Sequence, residues 1–152
     1  MNDESLVVRV AYGGVRFLFA GDVEHAGEAA LLHEDVRADV LKVAHHGSRT
    51  SSTPAFLTAV GARLAVISCG PENRYRHPAA TTTEALARAG TRALRTDAEG
   101  TVVMTVDGSG LHVRAEGVPT QLEAGPTVPR RPLRIDLPLR GDPSPAAIVA
   151  AR

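Results

Sequence analysis

Residues 39–52 read DVLKVAHHGSRTSS, and the histidine doublet His45-His46 within this stretch decides the fold prediction. The residues before the doublet form an apolar run that stops at Gly47, which is typical of a buried strand leading into a loop. Packing alone gives no reason for two adjacent imidazoles at the end of such a strand. The stretch therefore predicts a strand that delivers two histidines to a site.

Two further predicted strands end in residues of the same kind. Residues 15–20 of VRFLFAGD lead to Asp22, and residues 64–69 of LAVISCG lead within eight residues to His77 in NRYRHP. In sheets flanked by helices, ligands bind beyond the carboxyl ends of strands. Carboxylate oxygen and neutral imidazole are ligands of zinc and related divalent metals. The candidate metal ligands are Asp22, His45 and His46, with His77 beside them as a further catalytic candidate.

Each candidate also has a second interpretation. Asp22 precedes a helical pattern at 23–32 and could be its N-cap. One histidine of the doublet could orient the other or lie on the surface, and His77 precedes a proline, which is common in loops. Cys69 is the only cysteine, so an intramolecular disulfide is excluded. The remaining histidines are interpreted as structural: His25, His33 and His112.

The periodicity of the chain predicts a mixed α/β (α+β) fold. Gly13-Gly14 suits a two-residue hairpin turn, because glycine takes a positive φ without strain. Strands are predicted at 5–12, 15–20, 39–44, 64–69, 92–96, 101–107 and 111–115, and helices at 24–33, 54–60 and 82–89. These elements make up one domain, residues 1–117. Seven of the ten prolines fall in residues 118–152, which predicts a disordered tail.

Charge is balanced overall but not along the chain. With 17 basic and 17 acidic residues, the chain has no general attraction to polyanions. Between residues 45 and 95, however, seven arginines stand against two acidic residues. The candidate phosphate contacts are the polar and basic residues nearest the predicted ligands: Ser48, Arg49, Arg74 and Arg76. Aromatic residues are too few to interleave with bases, which favours contact with a nucleic-acid backbone.

Four stretches in order resemble a known family over residues 4–106: ESLVVRVAYGGVRFLFAGDVE, ADVLKVAHHGSRTSS, PAFLTAVGARLAVISCGPENRYRHP and ALRTDAEGTVVM. They are similar to the C-terminal metallo-β-lactamase-like domain of the ComEC-type competence proteins, which take up DNA through the bacterial membrane. The resemblance implies an αββα sandwich, a two-metal Zn²⁺ or Mn²⁺ site at its edge, and a nuclease role. Asp22 matches the family's metal-bridging carboxylate, His45 or His46 its later histidine ligand, and His77 the histidine of its NRYGHP segment.

One family motif does not occur in this sequence. The superfamily's principal ligand cluster, HxHxDH, belongs before Asp22, and the preceding residues contain no histidine. The resemblance therefore covers the C-terminal half of the sandwich, and we expect little catalysis from this chain alone. The expected partners are DNA, a second copy of the chain, or a separate N-terminal half. The alternatives are a non-catalytic interaction module and a hydrolase for a small phosphoester or lactone.

The sequence contains no candidate membrane span. No stretch approaches the roughly 20 apolar residues that cross a bilayer, so this chain is predicted to be soluble. A ComEC-like parent would be membrane-associated, with this domain on its outer face.

Overall fold

The computed structural model describes residues 4–107, 110–116 and 133–137. Its strands are β1 (Val8–Tyr12), β2 (Val15–Phe19), β3 (Val40–Lys42), β4 (Leu64–Ile67), β5 (Arg92–Arg95), β6 (Val102–Asp107), β7 (Gly110–Ala115) and β8 (Leu133–Leu137). Its helices are α1 (His25–Leu31), α2 (Pro54–Val60), α3 (Ala80–Arg88) and α4 (Thr96–Glu99), and a 3-10 turn spans Ala44–Gly47. None of the helices in the described residues is long and apolar enough to cross a membrane.

The strands form two sheets. The first has the order β1-β2-β3-β4-β5, in which β1 and β2 make an antiparallel hairpin and the remaining neighbours are parallel. The predicted turn is confirmed, since Gly13 and Gly14 have φ values of 56° and 79°. Helices connect the parallel strands, as parallel pairing requires a crossover. The second sheet is antiparallel, in the order β6-β7-β8.

Successive side chains along the strands of the first sheet pack into two different hydrophobic cores, one on each face of the sheet. In β3, Leu41 packs with the side chains of the helices, whereas Val40 packs towards the second sheet, because successive side chains of a strand point to opposite faces. The helix-side core includes Leu18, Phe56 and Leu86. The layers are therefore helices, a mixed sheet and a second sheet, which confirms the predicted mixed α/β class.

The second sheet covers part of the face of the first sheet that points away from the helices. Leu111 and Val113 of β7 pack against that face, yet Phe19 remains 45% exposed. A cavity of about 300 Å³ lies between the sheets, lined by Phe17, Leu18, Phe19, Val40, Lys42, Val66, Val102 and Met104.

One strand lies within the predicted tail. Leu133–Leu137 forms β8, which pairs with β7 from Leu111↔Leu137 to Ala115↔Leu133. The prediction of disorder is therefore wrong for these five residues. Their sequence, LRIDL, alternates apolar and charged residues, as is typical of strands. The rest of the predicted tail, 118–132 and 138–152, lies outside the described residues, and the domain boundary at 117 stays a prediction.

Candidate functional site

The loops after β2 and β3 meet because these strands are parallel neighbours, with Phe19 opposite Lys42. The backbone N–H of His45 donates to the carbonyl of Gly21 at 3.0 Å, which ties the two loops together. Gly21 has a φ of 56°, and a Cβ at this position would lie 2.9 Å from the Leu6 carbonyl oxygen. A glycine is therefore required immediately before Asp22.

Asp22 and His46 face each other at this junction. The Nε2 atom of His46 lies 3.7 Å from Oδ1 of Asp22, and both side chains are about half exposed. The Nδ1 atom of His46 lies 2.7 Å from the carbonyl oxygen of Ser68. A carbonyl oxygen can only accept, so Nδ1 carries a proton, and in a neutral ring it is the lone pair of Nε2 that would face Asp22.

The carboxylate oxygen of Asp22 and the imidazole nitrogen of His46 are suited to be two ligands of one metal ion. Zinc binds imidazole nitrogen and carboxylate oxygen at about 2.0–2.2 Å, and two atoms 3.7 Å apart can both reach one ion at such distances. The Ser68 carbonyl is the kind of partner that fixes the tautomer of a ligand histidine. Among the described residues, however, no group of three or more His, Cys, Asp or Glu side chains could hold a metal ion. The residues present therefore fit half of a metal site.

His45 points to a different partner. Its Nδ1 atom lies 3.3 Å from Oε1 of Glu24, but the alignment is too poor for a hydrogen bond, and this buried nitrogen has no hydrogen-bond partner among the described residues. Glu24 also accepts from the Thr50 hydroxyl at 3.2 Å. The doublet is thus divided, with His46 beside Asp22 and His45 beside Glu24. No pattern in the sequence pointed to Glu24.

His77 lies next to the doublet because Gly47 permits a close approach. Gly47 has a φ of 82°, and a Cβ there would lie 2.7 Å from Cβ of Pro78. The Ala79 N–H donates to the Gly47 carbonyl at 2.9 Å, and the rings of His45 and His77 are 6.0 Å apart between centroids. Burial lowers the pKa of His77, and the nearby charges of His45, His46 and Arg49, in that order, lower it further.

The four candidate phosphate contacts differ in accessibility. Ser48 is buried, and its hydroxyl lies 3.0 Å from the Thr50 hydroxyl and accepts from the Thr50 N–H. Arg49, Arg74 and Arg76 are exposed. Arg49 and Arg76 are therefore accessible to a phosphate, as is Arg74, although its guanidinium also contacts Tyr75. The Ser48 hydroxyl, by contrast, is used within its own loop.

Glu28 holds the loop that follows the doublet, a role that the sequence did not indicate. It is fully buried, and its two carboxylate oxygens accept the N–H groups of Ser52 and Thr53 at 2.5 and 2.8 Å. Burial raises the pKa of Glu28, and the two backbone hydrogen bonds oppose that rise. The carboxylate thus fixes the connection between the doublet and α2.

Lys42 is a half-buried charged group beside the site and the only lysine of the chain. It lines the cavity between the sheets, and its Nζ donates to the Val43 carbonyl at 3.0 Å. Burial lowers its pKa, while the charge of Asp22 opposes the shift. In the part of the chain that the structure describes, no carboxylate lies within ion-pair distance of Nζ.

The layers of helices, mixed sheet and second sheet, with Asp22 and His46 beyond the ends of neighbouring strands, are consistent with a metallo-β-lactamase-like fold. Residues 2–70 match the family model described as the Metallo-beta-lactamase superfamily.

Three relatives make the resemblance more specific than the superfamily. The chain is 40% identical over 103 residues to ComE operon protein 3 of Bacillus subtilis, covering 66% of this chain and 13% of that protein. It is 39% identical over 102 residues to Competence protein ComA of Neisseria gonorrhoeae, covering 65% and 15%. It is 36% identical over 77 residues to Recombination protein 2 of Haemophilus influenzae, covering 51% and 10%. The predicted resemblance to the competence proteins is confirmed, and the chain spans only a small part of these relatives.

Proposed function

We propose that this chain supplies part of the active site of a metal-dependent hydrolase that cleaves DNA phosphodiesters during DNA uptake. The observation that carries the proposal is the pairing of Asp22 Oδ1 with His46 Nε2 at 3.7 Å. The DNA-uptake context comes from similarity to a protein named as a competence protein.

The proposed roles follow from the contacts of each side chain. Asp22 and His46 bind the metal, Zn²⁺ or Mn²⁺, and the Ser68 carbonyl holds the His46 ring in the required tautomer. A divalent ion at such a site activates water and stabilises charge on the phosphate. Two ligands do not complete a coordination sphere, so the remaining ligands come from residues other than those that the structure describes. The family's HxHxDH cluster does not occur in this sequence, and the chain alone is accordingly a poor catalyst.

The surroundings of the pair suit a phosphate-bearing substrate. Arg49, Arg74 and Arg76 are exposed, and guanidinium groups bind phosphate oxygens through charge-assisted hydrogen bonds. His77 is next to the doublet and has a lowered pKa, so it is neutral near pH 7. A neutral imidazole can take up or pass on a proton at the scissile phosphate.

The test measures cleavage of a labelled linear DNA by the complete product of the gene that encodes these residues. With Mn²⁺ or Zn²⁺ we expect cleavage that falls by more than about 100-fold in Asp22→Asn and in His46→Gln, because each substitution removes a metal ligand. His33→Gln changes an exposed histidine outside the site and should leave the rate unchanged.

Two results would contradict the proposal. Cleavage that both ligand substitutions leave intact would place the chemistry elsewhere. Absence of cleavage by the complete gene product with Mn²⁺, Zn²⁺, Mg²⁺ and Co²⁺ would favour the non-catalytic interaction module.

A further inference from the structure

We infer that Tyr75 and His77 form a stacking platform for a nucleobase, and that the site therefore binds single-stranded rather than duplex DNA. The choice of DNA as ligand rests on the proposed function. The platform itself rests on the geometry of the loop between β4 and α3.

Tyr75 is an exposed aromatic ring that contacts both His77 and Arg74. Its side chain is 62% exposed, and its ring lies nearly parallel to that of His77, at 17° and 5.7 Å between centroids. The guanidinium carbon of Arg74 lies 4.6 Å from the tyrosine ring centroid, and the guanidinium donates to the Tyr75 hydroxyl. Aromatic rings and guanidinium planes are both surfaces on which unpaired bases stack.

Asn73 holds this loop in place before any ligand arrives. Its Oδ1 accepts the His77 N–H at 2.8 Å, and its Nδ2 donates to the carbonyls of His77 and Gly70 at 2.7 and 2.9 Å. A side chain that bridges both ends of a loop lowers the entropy lost on binding. The platform is therefore preorganised.

The platform also adjoins the proposed metal ligands. The His77 ring contacts the His45 ring edge to face, and His45 is followed directly by His46, which faces Asp22. A strand held on Tyr75 would thus run beside the loop that carries the doublet. Exposed arginines beside a stacking surface are the combination by which proteins hold single strands.

Bases in a duplex are stacked on one another and cannot also lie on a protein ring. This is the reason that the platform selects single strands. The sequence favoured backbone contact alone because it shows only two tyrosines and no aromatic interleaving. That interpretation leaves out His77 and Arg74, which the fold brings against Tyr75.

The test compares binding of two fluorescent oligomers of equal length and charge to the 152-residue chain in EDTA, by anisotropy. One is oligothymidine and the other carries abasic residues throughout. We expect oligothymidine to bind more tightly, and Tyr75→Ala to weaken only that binding, by about tenfold. Tyr75→Phe keeps the ring and should retain most of the affinity. Tyr12→Ala removes the other tyrosine, which is 68% exposed at the opposite end of β2, and should change nothing.

Three results would overturn the inference: equal binding of the two oligomers, equal effects of Tyr75→Ala and Tyr12→Ala, or duplex DNA bound as tightly as the single strand. No measurable binding of oligothymidine would overturn it as well. The measurement needs neither metal nor cleavage. A failure to find base-dependent binding therefore contradicts the stacking platform but not the proposed hydrolase. A failure to find cleavage contradicts the hydrolase but not the platform.

Discussion

The Oδ1 atom of Asp22 and the Nε2 atom of His46 face each other across 3.7 Å, at the ends of two parallel strands that the backbone holds in register. The other nitrogen of His46 is bonded to the Ser68 carbonyl. When the His46 ring is neutral, the Nε2 lone pair and the Asp22 carboxylate oxygen therefore face the same space. These two electron-pair donors repel each other, and a cation bound between them would remove that repulsion. Three predictions concern the framework that creates this relationship.

Gly47→Ala should destabilise the protein by about 1–3 kcal/mol more than Gly90→Ala. Both glycines have a positive φ, 82° and 72°, so both substitutions carry the same kind of backbone strain. Only at Gly47 would the new Cβ meet a neighbour, Pro78, at 2.7 Å, whereas Gly90 has nothing within 4 Å. Urea denaturation measures the difference, and equal losses would show that the 47–78 contact is unimportant.

Glu28→Gln should lower the free energy of unfolding by about 1–3 kcal/mol. Each carboxylate oxygen accepts one backbone N–H, from Ser52 or Thr53, and the amide would turn one acceptor into a donor that faces an N–H group. Glu34→Gln on the exposed surface is the matched control and should be neutral. A neutral result for Glu28→Gln in chemical denaturation would mean that the loop does not depend on this carboxylate.

Lys42→Met should stabilise the protein at neutral pH, on the order of 1 kcal/mol, because a half-buried ammonium is replaced by an apolar side chain of similar length. Burial lowers the pKa of Lys42 in the folded state below the ordinary value of 10.5. At any pH between the lowered and the ordinary pKa, the unfolded chain binds more protons, so stability contributed at this position rises with pH. Below the lowered pKa the full unfavourable contribution remains.

The advantage of Lys42→Met over the wild type should therefore be largest at neutral pH and shrink as pH approaches 10.5. Thermal unfolding of both proteins across this range measures the trend, with Arg63→Met at an exposed position as the control. A difference that stays constant with pH would show that the folded-state pKa of Lys42 is not lowered.

The strands that carry the site could be predicted from the sequence because their signals are local. Apolar runs ending at Asp22 and at the doublet identify strand ends, and Gly13-Gly14 identifies the hairpin. Helix α2 begins as predicted at Pro54, with the Thr53 side chain accepting the Phe56 N–H. Each of these features depends on residues close together in the chain.

The partners of the site residues could not be predicted, because they depend on contacts between distant residues. Glu28 reaches the N–H of Ser52, 24 positions further along the chain. The division of the doublet follows from φ values of 47° and 54° at His45 and His46, which residues other than glycine rarely adopt. The hydrophobic periodicity of the sequence does not indicate residues with a positive φ. The direction of each imidazole is therefore known only from the folded chain.

The most direct test of the account is the zinc content of the chain after equilibrium dialysis against Zn²⁺, compared among four proteins: the wild type, Asp22→Asn, His46→Gln and His33→Gln. We expect weak binding of one ion, lost in both site variants and kept in His33→Gln. A wild type that bound no zinc, or Asp22→Asn and His46→Gln variants that bound as much as His33→Gln, would contradict a metal site at the Asp22–His46 pair.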